Sequence, residues 1–248
     1  MFRRLVLLAL LLAALPLTGC KPAADEQRPP DAREFPRAYR PVSTRSGDGF
    51  SNEQVRDDRR EAATVMDLAM IQPGMTVADI GSGEGYYTVR LADRVGRKGR
   101  VLAEDIDRDA LARLGSRVET EHLDNVSIKL GTEVDPGLPE HSFDRIFLVH
   151  MYHEVTEPYA FLWHLRPGLK KDGAVIVVEA DRPTSQHGIP PKELFCEFAR
   201  VGFRLTEFIR KPELAGYYAR FEAAGERPEP HAIEPCSKPG AGNGDSAA

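Results

Sequence analysis

Short apolar runs alternate with amphipathic segments through the middle of the chain. The amphipathic segments repeat apolar residues at helical spacing, whereas the runs have the length and composition of buried strands. The runs predict five strands, at residues 75–80, 100–106, 125–130, 143–150 and 174–179. Because strands that alternate with helices pair in parallel, residues 51–222 are predicted to form a mostly parallel sheet with helices on both faces.

The same periodicity places the helices and the last part of the sheet. One helix is predicted before the first strand, where Ser51 and Gln54 have capping-box spacing. The other helices are predicted at residues 87–95, 108–118, 157–169 and 190–201. Two further strand-like runs, at residues 205–210 and 217–222, are separated by a proline-containing turn and predict an antiparallel hairpin.

A glycine-rich turn follows the first strand, in the stretch VADIGSGEGYY. Gly81, Gly83 and Gly85 break the strand before a helix, so backbone N–H groups and a helix N-terminus face whatever the turn holds. The dinucleotide-binding pattern G-x-G-x-x-G is not matched, because Tyr86 stands where the third glycine belongs and Gly85 comes one residue early. The stretch instead reads D-x-G-x-G-x-G.

This loop and the order of strands around it resemble the class I S-adenosylmethionine-dependent methyltransferases from residue 51 to residue 222. The resemblance implies a Rossmann-like α/β fold, with a mostly parallel seven-stranded sheet that ends in an antiparallel hairpin. It also implies S-adenosylmethionine as the cofactor. The loop residues expected to contact the cofactor are Asp79, Gly81, Ser82, Gly83, Gly85 and Tyr86.

Acidic residues after the second and third strands complete the implied cofactor site. Asp105 matches the family's ribose-binding acid best, and Glu104 is its nearest rival. Asp107 is expected to be the N-cap of the following helix instead. In the loop after the third strand, Glu133 is the expected contact of the adenine amino group, with Asp135 as the alternative.

Residues that can move or orient a proton follow the fourth strand, in the segment HMYHE. Methyl transfer to oxygen or nitrogen requires an aligned nucleophile and the removal of its proton. His153 is the first choice for the base, because an unperturbed imidazole titrates near neutrality. His150 and Tyr152 come next, and Glu154 is placed to orient a histidine. The alternative is a histidine that packs or positions the cofactor without moving a proton.

The two histidines and the glutamate of this segment do not predict a metal site. Their order, H-x-x-H-E, matches neither H-E-x-x-H nor H-x-x-E-H, and adjacent residues leave different faces of the chain. Glu179, Asp181 and His187 could complete a site, but their spacing does not require one. No metal is therefore expected.

The charge of the chain argues against a nucleic-acid partner. The formal net charge is −5 and no basic run offsets it. No Asn/Asp-Pro-Pro-aromatic sequence follows the fourth strand, which disfavours methylation of flipped DNA bases. The expected substrate is therefore a small molecule.

Residues 1–20 predict an export signal. Arg3 and Arg4 precede an apolar run at residues 5–15, and Leu-Thr-Gly-Cys ends at Cys20. The pattern resembles the bacterial lipoprotein signal, which implies a lipid on Cys20, a membrane anchor and a domain in the periplasm. Lys21 after the cysteine favours the outer membrane. An ordinary secretory signal is the alternative.

The segments on either side of the domain at residues 51–222 lack apolar periodicity. Residues 21–50 are rich in proline, arginine and acids and predict a solvated linker. Phe35 and Tyr39 leave open a second possibility, a lid over the site. Residues 223–248 predict a disordered tail.

Besides Cys20, the chain holds two cysteines, Cys196 and Cys236. Export to an oxidising compartment permits a disulfide, but two cysteines make no framework. One bridge and two free thiols are equally compatible with the sequence.

Together these patterns predict a lipid-anchored S-adenosylmethionine-dependent methyltransferase that acts on a small, lipophilic acceptor. The cofactor is made in the cytosol, whereas the signal implies that the domain lies outside it. The second hypothesis is therefore a non-catalytic envelope lipoprotein, which uses the fold to bind a nucleoside-like ligand or a protein partner.

Overall fold

The computed structural model describes residues 26–43, 53–211 and 216–236. Seven strands in these residues form one sheet. They are β1 (Thr76–Ile80), β2 (Arg100–Asp105), β3 (Val126–Leu130), β4 (Phe143–Val149), β5 (Leu169–Glu179), β6 (Phe203–Lys211) and β7 (Gly216–Ala223). Their spatial order is β3-β2-β1-β4-β5-β7-β6.

The first five strands run parallel to one another, and the antiparallel pairs of the sheet both include β7. β1 is central and pairs with β2 on one side and β4 on the other. β7 lies between β5 and β6 and runs antiparallel to both. The predicted Rossmann-like fold is thus confirmed. Because the winding changes direction between β1 and β4, the carboxyl ends of these strands form the edge where such sheets bind ligands.

Helices cover both faces of the sheet. They are α1 (Glu53–Asp58), α2 (Glu61–Leu68), α3 (Tyr86–Val95), α4 (Arg108–Thr120), α5 (Pro158–Leu165) and α6 (Pro191–Arg200). In β5, Val175 and Val177 join the apolar cluster that contains α5 and α6. Ile176 and Val178 join the cluster on the other face, with α2 and α3. The strand is buried on both sides, which explains its continuous rather than alternating apolar sequence.

Several element boundaries differ by a few residues from those predicted, and two departures have a visible cause. β5 begins at Leu169 rather than Ala174, because Leu169 pairs with Phe143 before a register shift in the β4–β5 ladder. The single helix predicted before β1 is two helices. Arg60, between them, adopts a left-handed conformation with φ 56°, which interrupts the helical backbone.

The N-terminal strap, defined as residues 26–43, packs against the domain and is not the solvated linker that the composition predicts. Arg28 donates to both carboxylate oxygens of Glu157, from Nε at 2.7 Å and from Nη2 at 2.6 Å. Arg40 donates from Nε to Glu197 at 2.8 Å, and both side chains of this pair are buried. Two of the arginines that suggested solvation, Arg28 and Arg40, are therefore ion-paired inside the molecule, which local composition cannot reveal.

The segment at residues 224–236 is packed as well, contrary to the predicted disorder after residue 223. The indole Nε1 of Trp163 donates to the carbonyl of Pro228 at 2.8 Å. The guanidinium of Arg227 lies 3.5 Å from the centre of the same ring. The rest of the predicted tail, residues 237–248, lies outside the described residues.

A disulfide joins Cys196 of α6 to Cys236. The backbone N–H of Cys236 donates to the hydroxyl of Tyr159 at 2.7 Å. Of the two possibilities that the sequence leaves open, the structure has the bridge. It anchors the C-terminal segment to the helical face of the domain.

None of the helices in the described residues is both long and apolar enough to span a bilayer. Residues 1–25, which include the predicted signal and Cys20, lie outside the described part of the chain.

Candidate active site

The glycine turn after β1 has the conformation that its sequence predicts. Gly81, Gly83 and Gly85 have φ values of 69°, 54° and 90°, in the left-handed region that favours glycine. A Cβ on Gly83 would meet no atom within 4 Å, so space is open beside this backbone. The hydroxyl of Ser82 is buried and has no hydrogen-bond partner among the described residues. The turn therefore offers room and an unused polar group to a ligand.

Asp105, at the end of β2, is bound to this turn. Its Oδ2 accepts the backbone N–H of Gly83 at 2.8 Å, and its Oδ1 accepts that of Asp107 at 2.8 Å. The carboxylate is half-buried, and each oxygen keeps a lone pair for a further donor. Asp107 accepts two backbone N–H groups at the start of α4 and is the predicted N-cap.

Glu104, the residue before Asp105, is buried, whereas Asp105 is accessible. Its side chain is 3% exposed and lies against Gly131, leaving no space there for a side chain. Burial, and then the nearby charge of Asp105, raises the pKa of Glu104 to about 8. Of the two acids, Asp105 is thus the one whose side chain is accessible, and the preference for it as the ribose-binding acid stays a prediction.

Asp79 lies underneath the turn. Its carboxylate accepts the hydroxyl of Thr88 in α3 at 2.6 Å, and burial raises its pKa to about 6. This contact joins the end of β1 to α3, so Asp79 supports the shape of the turn from below.

Arginine and tyrosine side chains line one side of the open space beside the glycine turn. Tyr86 donates its hydroxyl to Asp57 at 3.0 Å, and its ring lies between the guanidinium groups of Arg56 and Arg90, at 3.7 and 3.9 Å from the ring centre. Tyr86 is held in place by α1 and α3. The sequence did not single out Arg56, because its partners come from other elements.

Glu61 of α2 is the centre of a buried polar cluster. It accepts Arg56 at 2.6 Å and the hydroxyl of Tyr87 at 3.2 Å. Nε2 of His150 lies 3.5 Å from the same carboxylate. Burial alone would raise the pKa of Glu61, but His150 and Arg56 outweigh it and bring the pKa to about 2. Glu61 is therefore ionised beside His150.

The residues directly after β4 lie next to the glycine turn. A Cβ on Gly81 would stand 2.8 Å from Cγ of Met151, so this methionine packs directly on the turn. His150 precedes it with φ 55° and donates its backbone N–H to Val178 at 2.8 Å. The left-handed backbone conformation of His150 turns the chain across the carboxyl ends of the strands.

The remaining candidates of this segment have different surroundings. Tyr152 is fully buried and donates its hydroxyl to Glu197 at 2.8 Å. It therefore belongs to the core and not to the open space beside the glycine turn. His153 is also fully buried, with Nδ1 at 2.9 Å from a carboxylate oxygen of Glu179. Glu154 lies 3.8 Å from the other ring nitrogen of His153.

The loop after β3 carries the predicted adenine contact. Glu133 is exposed there, whereas the carboxylate of Asp135 accepts the backbone N–H of Gly137 at 2.6 Å. Asp135 is thus occupied in its own turn, and Glu133 projects from the loop.

Solved structures share this fold. A methyltransferase from Aquifex aeolicus, described as dependent on S-adenosylmethionine, is similar with a TM-score of 0.60 and 23% identity, over 69% of this chain and 97% of that one. The cyclase SpnF is similar with a TM-score of 0.59 and 16% identity, over 78% of this chain and 90% of that one. At these identities the similarity concerns the fold.

Sequence relatives are methyltransferases. A ubiquinone/menaquinone biosynthesis C-methyltransferase from a Shewanella species is 31% identical over 149 residues, 59% of this chain and 58% of that protein. A protein-L-isoaspartate O-methyltransferase from Methanococcoides burtonii is 31% identical over 46% of this chain and 54% of its own length. A demethylmenaquinone methyltransferase from Bacillus cereus is 27% identical over 51% of this chain and 52% of its own length. The chain thus spans little more than half of these relatives.

The family model described as "Methyltransferase domain" matches residues 71–206. The match begins before β1 and ends in β6, so it includes the glycine turn, Asp105 and the segment after β4. Since it covers more than half of the 248 residues, the chain belongs to the methyltransferase domain family.

Proposed function

We propose that the protein transfers a methyl group from S-adenosylmethionine to a small acceptor at the carboxyl edge of β1, β2 and β4. The observation that carries the proposal is the open glycine turn at Gly83, with the unpartnered Ser82 hydroxyl and Asp105 at its rim. These groups fit an uncharged sugar and an amino acid portion better than a pyrophosphate, because a carboxylate would repel phosphates.

The residues present can hold this cofactor. Asp105 has lone pairs for the ribose hydroxyls, while its bonds to Gly83 and Asp107 fix its position. Ser82 and the backbone of the turn are available to the methionyl part, and the exposed Glu133 to the adenine amino group. S-adenosylmethionine, when bound, supplies an electrophilic methyl group on a sulfonium sulfur.

The chain's own task is then to align the acceptor and remove its proton. His150 is better placed for this than His153, the first choice from the sequence. His150 lies next to Met151, which packs on the glycine turn, and its Nε2 is 3.5 Å from the carboxylate of Glu61, which can orient the ring. His153 is fully buried, with Nδ1 bound to Glu179.

We further propose that the domain is an exported lipoprotein, anchored through Cys20, with the outer membrane favoured and the domain in the periplasm. The signal pattern in residues 1–20 supports the export, and the Cys196–Cys236 disulfide suits an oxidising compartment. A membrane anchor favours a lipophilic acceptor. Two relatives are named for ubiquinone or menaquinone, which supports the same class.

A second function has one observation in its favour. The disulfide suits a compartment outside the cytosol, whereas S-adenosylmethionine is made inside it. A fold that retains the pocket there could bind a nucleoside-like ligand or a partner without transferring a methyl group.

Calorimetry on the full chain in detergent tests the site. S-adenosylmethionine and S-adenosylhomocysteine are expected to bind, and Asp105→Ala should weaken binding by about 10-fold or more through the loss of charged hydrogen bonds. Asp109→Ala, an acid of α4, is the control and should bind like the wild type. Failure of both ligands to bind at millimolar concentration would refute the proposed cofactor site.

Transfer of labelled methyl groups to a membrane extract then separates the two functions. Label in the lipid-soluble fraction supports methyl transfer to a lipophilic acceptor. Binding without transfer to any fraction favours the ligand-binding function.

A further inference from the structure

A second polar cluster lies beyond the ends of β4 and β5 and has no part in the function proposed above. The His–Glu cluster consists of His153, Glu154 and His187. One nitrogen or oxygen atom from each side chain lies within 4.8 Å of the other two. The rings of His153 and His187 are 5.8 Å apart and nearly perpendicular, at 87°.

His153 supplies the cluster with an unused lone pair. Its Nδ1 is 2.9 Å from Oε2 and 3.0 Å from Oε1 of Glu179, and a carboxylate oxygen at this distance accepts a hydrogen bond. Nδ1 therefore carries the hydrogen, and Nε2 presents its lone pair. His153 is 0% exposed, and Nε2 has no hydrogen-bond partner among the described residues. An orphaned buried acceptor of this kind is destabilising unless a ligand satisfies it.

His187 supplies a second unused nitrogen from a different part of the chain. Its Nδ1 is also buried and without a hydrogen-bond partner in the described residues. The loop that carries it is held by the N-terminal strap, since the backbone N–H of His187 donates to the hydroxyl of Ser43 at 3.1 Å and this hydroxyl also contacts the carbonyl of Thr184. The strap thus keeps the His187 ring beside His153.

The charges of the cluster favour a cation. Glu154 is within 3.8 Å of Nε2 of His153, and Glu179 lies on the other side of the same ring. Arg40, the guanidinium next to this segment, is paired with the buried carboxylate of Glu197. Two carboxylates therefore flank the His153 ring, Glu179 on its Nδ1 side and Glu154 on its Nε2 side.

We infer that the His–Glu cluster binds a divalent transition metal ion of the zinc class, through Nε2 of His153, the carboxylate of Glu154 and Nδ1 of His187. Two imidazoles and one carboxylate form a known zinc ligand set that leaves a fourth position open. The Glu179–His153 pair has the carboxylate–histidine arrangement that orients metal-binding histidines. Ligand bonds of about 2.0–2.2 Å require the three atoms to approach one another by about 1 Å.

The sequence argued against a metal because the order of His150, His153 and Glu154 matches no zinc motif, and it named His187 only as a residue whose spacing does not require a site. In the structure His150 faces Glu61, and the third ligand comes from the loop after β5. Residues 154 and 187 are far apart along the chain, so a short sequence motif cannot include both.

Zinc titration of the full chain, purified without a histidine tag and dialysed against a chelator, tests the inference by calorimetry. One Zn²⁺ per chain is expected, with a dissociation constant of about 1 μM or tighter. His187→Asn should weaken binding by about 100-fold, as should Glu154→Gln, which keeps the size of the side chain.

His122→Asn is a matched control for the histidine. His122 and His187 have φ values of 54° and 55°, so the same substitution meets the same backbone conformation. His122 lies before β3, the edge strand that β2 and β1 separate from β4, and its variant should bind zinc like the wild type.

Cobalt provides a readout that does not depend on any variant's folding. Co²⁺ added to the wild type should give the intense visible bands of a four-coordinate site, and Zn²⁺ should abolish them. The inference is overturned if the wild type takes up no zinc at about 100 μM. It is also overturned if folded His187→Asn and Glu154→Gln proteins bind zinc as tightly as the wild type, or if His122→Asn loses as much.

Discussion

Adjacent acids at the end of β2 differ because a strand turns successive side chains to opposite faces. Asp105 is half-buried and bound to the backbone of Gly83 and Asp107. Glu104 is 3% exposed, and its pKa is raised to about 8. Burial thus keeps the Glu104 carboxyl away from a ligand, whereas the half-buried Asp105 is accessible to one.

Glu104→Gln is expected to change how stability depends on pH. The pKa of Glu104 is raised in the folded state from an ordinary value of 4.5 to about 8. The folded state therefore holds a proton that the unfolded state releases, so the stability this provides is full below pH 4.5 and is lost as the pH rises through 8. Glutamine stays neutral, so between pH 5 and 9 the wild type should lose about 2–4 kcal/mol more than the variant.

Urea unfolding at pH 5 and pH 9 measures this difference. Glu133→Gln, an exposed glutamate on the loop after β3, is the control and should follow the wild type at both values. Equal pH dependence in the wild type and Glu104→Gln would show that Glu104 ionises normally in the folded protein.

The N-terminal strap lacks regular secondary structure along most of its length, yet it packs against the domain as a helix or strand would. Phe35 is 3% exposed and packs edge-on against Trp163, with ring centres 5.6 Å apart. Arg40 binds Glu197, which also accepts the hydroxyl of Tyr152. The strap therefore connects α6 to the segment after β4 and holds the His187 loop through Ser43.

Arg40→Ala is expected to destabilise the protein by about 3–5 kcal/mol, because it leaves the buried Glu197 without its partner. Arg33→Ala, in the same strap, removes an exposed side chain and should cost about 1 kcal/mol or less. The free energy of unfolding from urea denaturation distinguishes the two. A loss at Arg40 no larger than at Arg33 would mean that the strap contributes little to the folded domain.

At the scale of the whole molecule, the described segments on either side of the domain, the N-terminal strap and residues 224–236, are attached to it although their composition differs. The strap is fastened by two buried arginine–glutamate pairs, and the C-terminal segment by the Cys196–Cys236 disulfide. A disulfide across 40 residues restricts the unfolded chain and suits a protein outside the cytosol. This organisation agrees with the proposed export.

Cys20→Ala is expected to move the protein from the membrane fraction to the soluble fraction of the envelope, because a lipid chain at this residue would be the anchor. Pro22→Ala changes a residue just beyond the predicted lipidation site and should leave the protein in the membrane fraction. Fractionation followed by immunoblotting measures the distribution. Membrane retention of the Cys20→Ala protein would contradict lipid anchoring.

The amino-acid sequence by itself determined the strands and helices of the sheet, because buried parallel strands are continuous apolar runs and amphipathic helices repeat apolar residues at helical spacing. It also determined the glycine turn, where Gly81, Gly83 and Gly85 have positive φ values, and it favoured Asp105 over Glu104. Each of these features depends on residues that are close along the chain.

Only the tertiary structure decided which distant side chains meet. It buried Glu61 beside His150, paired Arg40 with Glu197 and placed His187 against His153. It also joined Cys196 to Cys236. In each case a charged or polar residue found its partner across the fold, and the energy of such a contact depends on burial and distance, which have no period along the sequence.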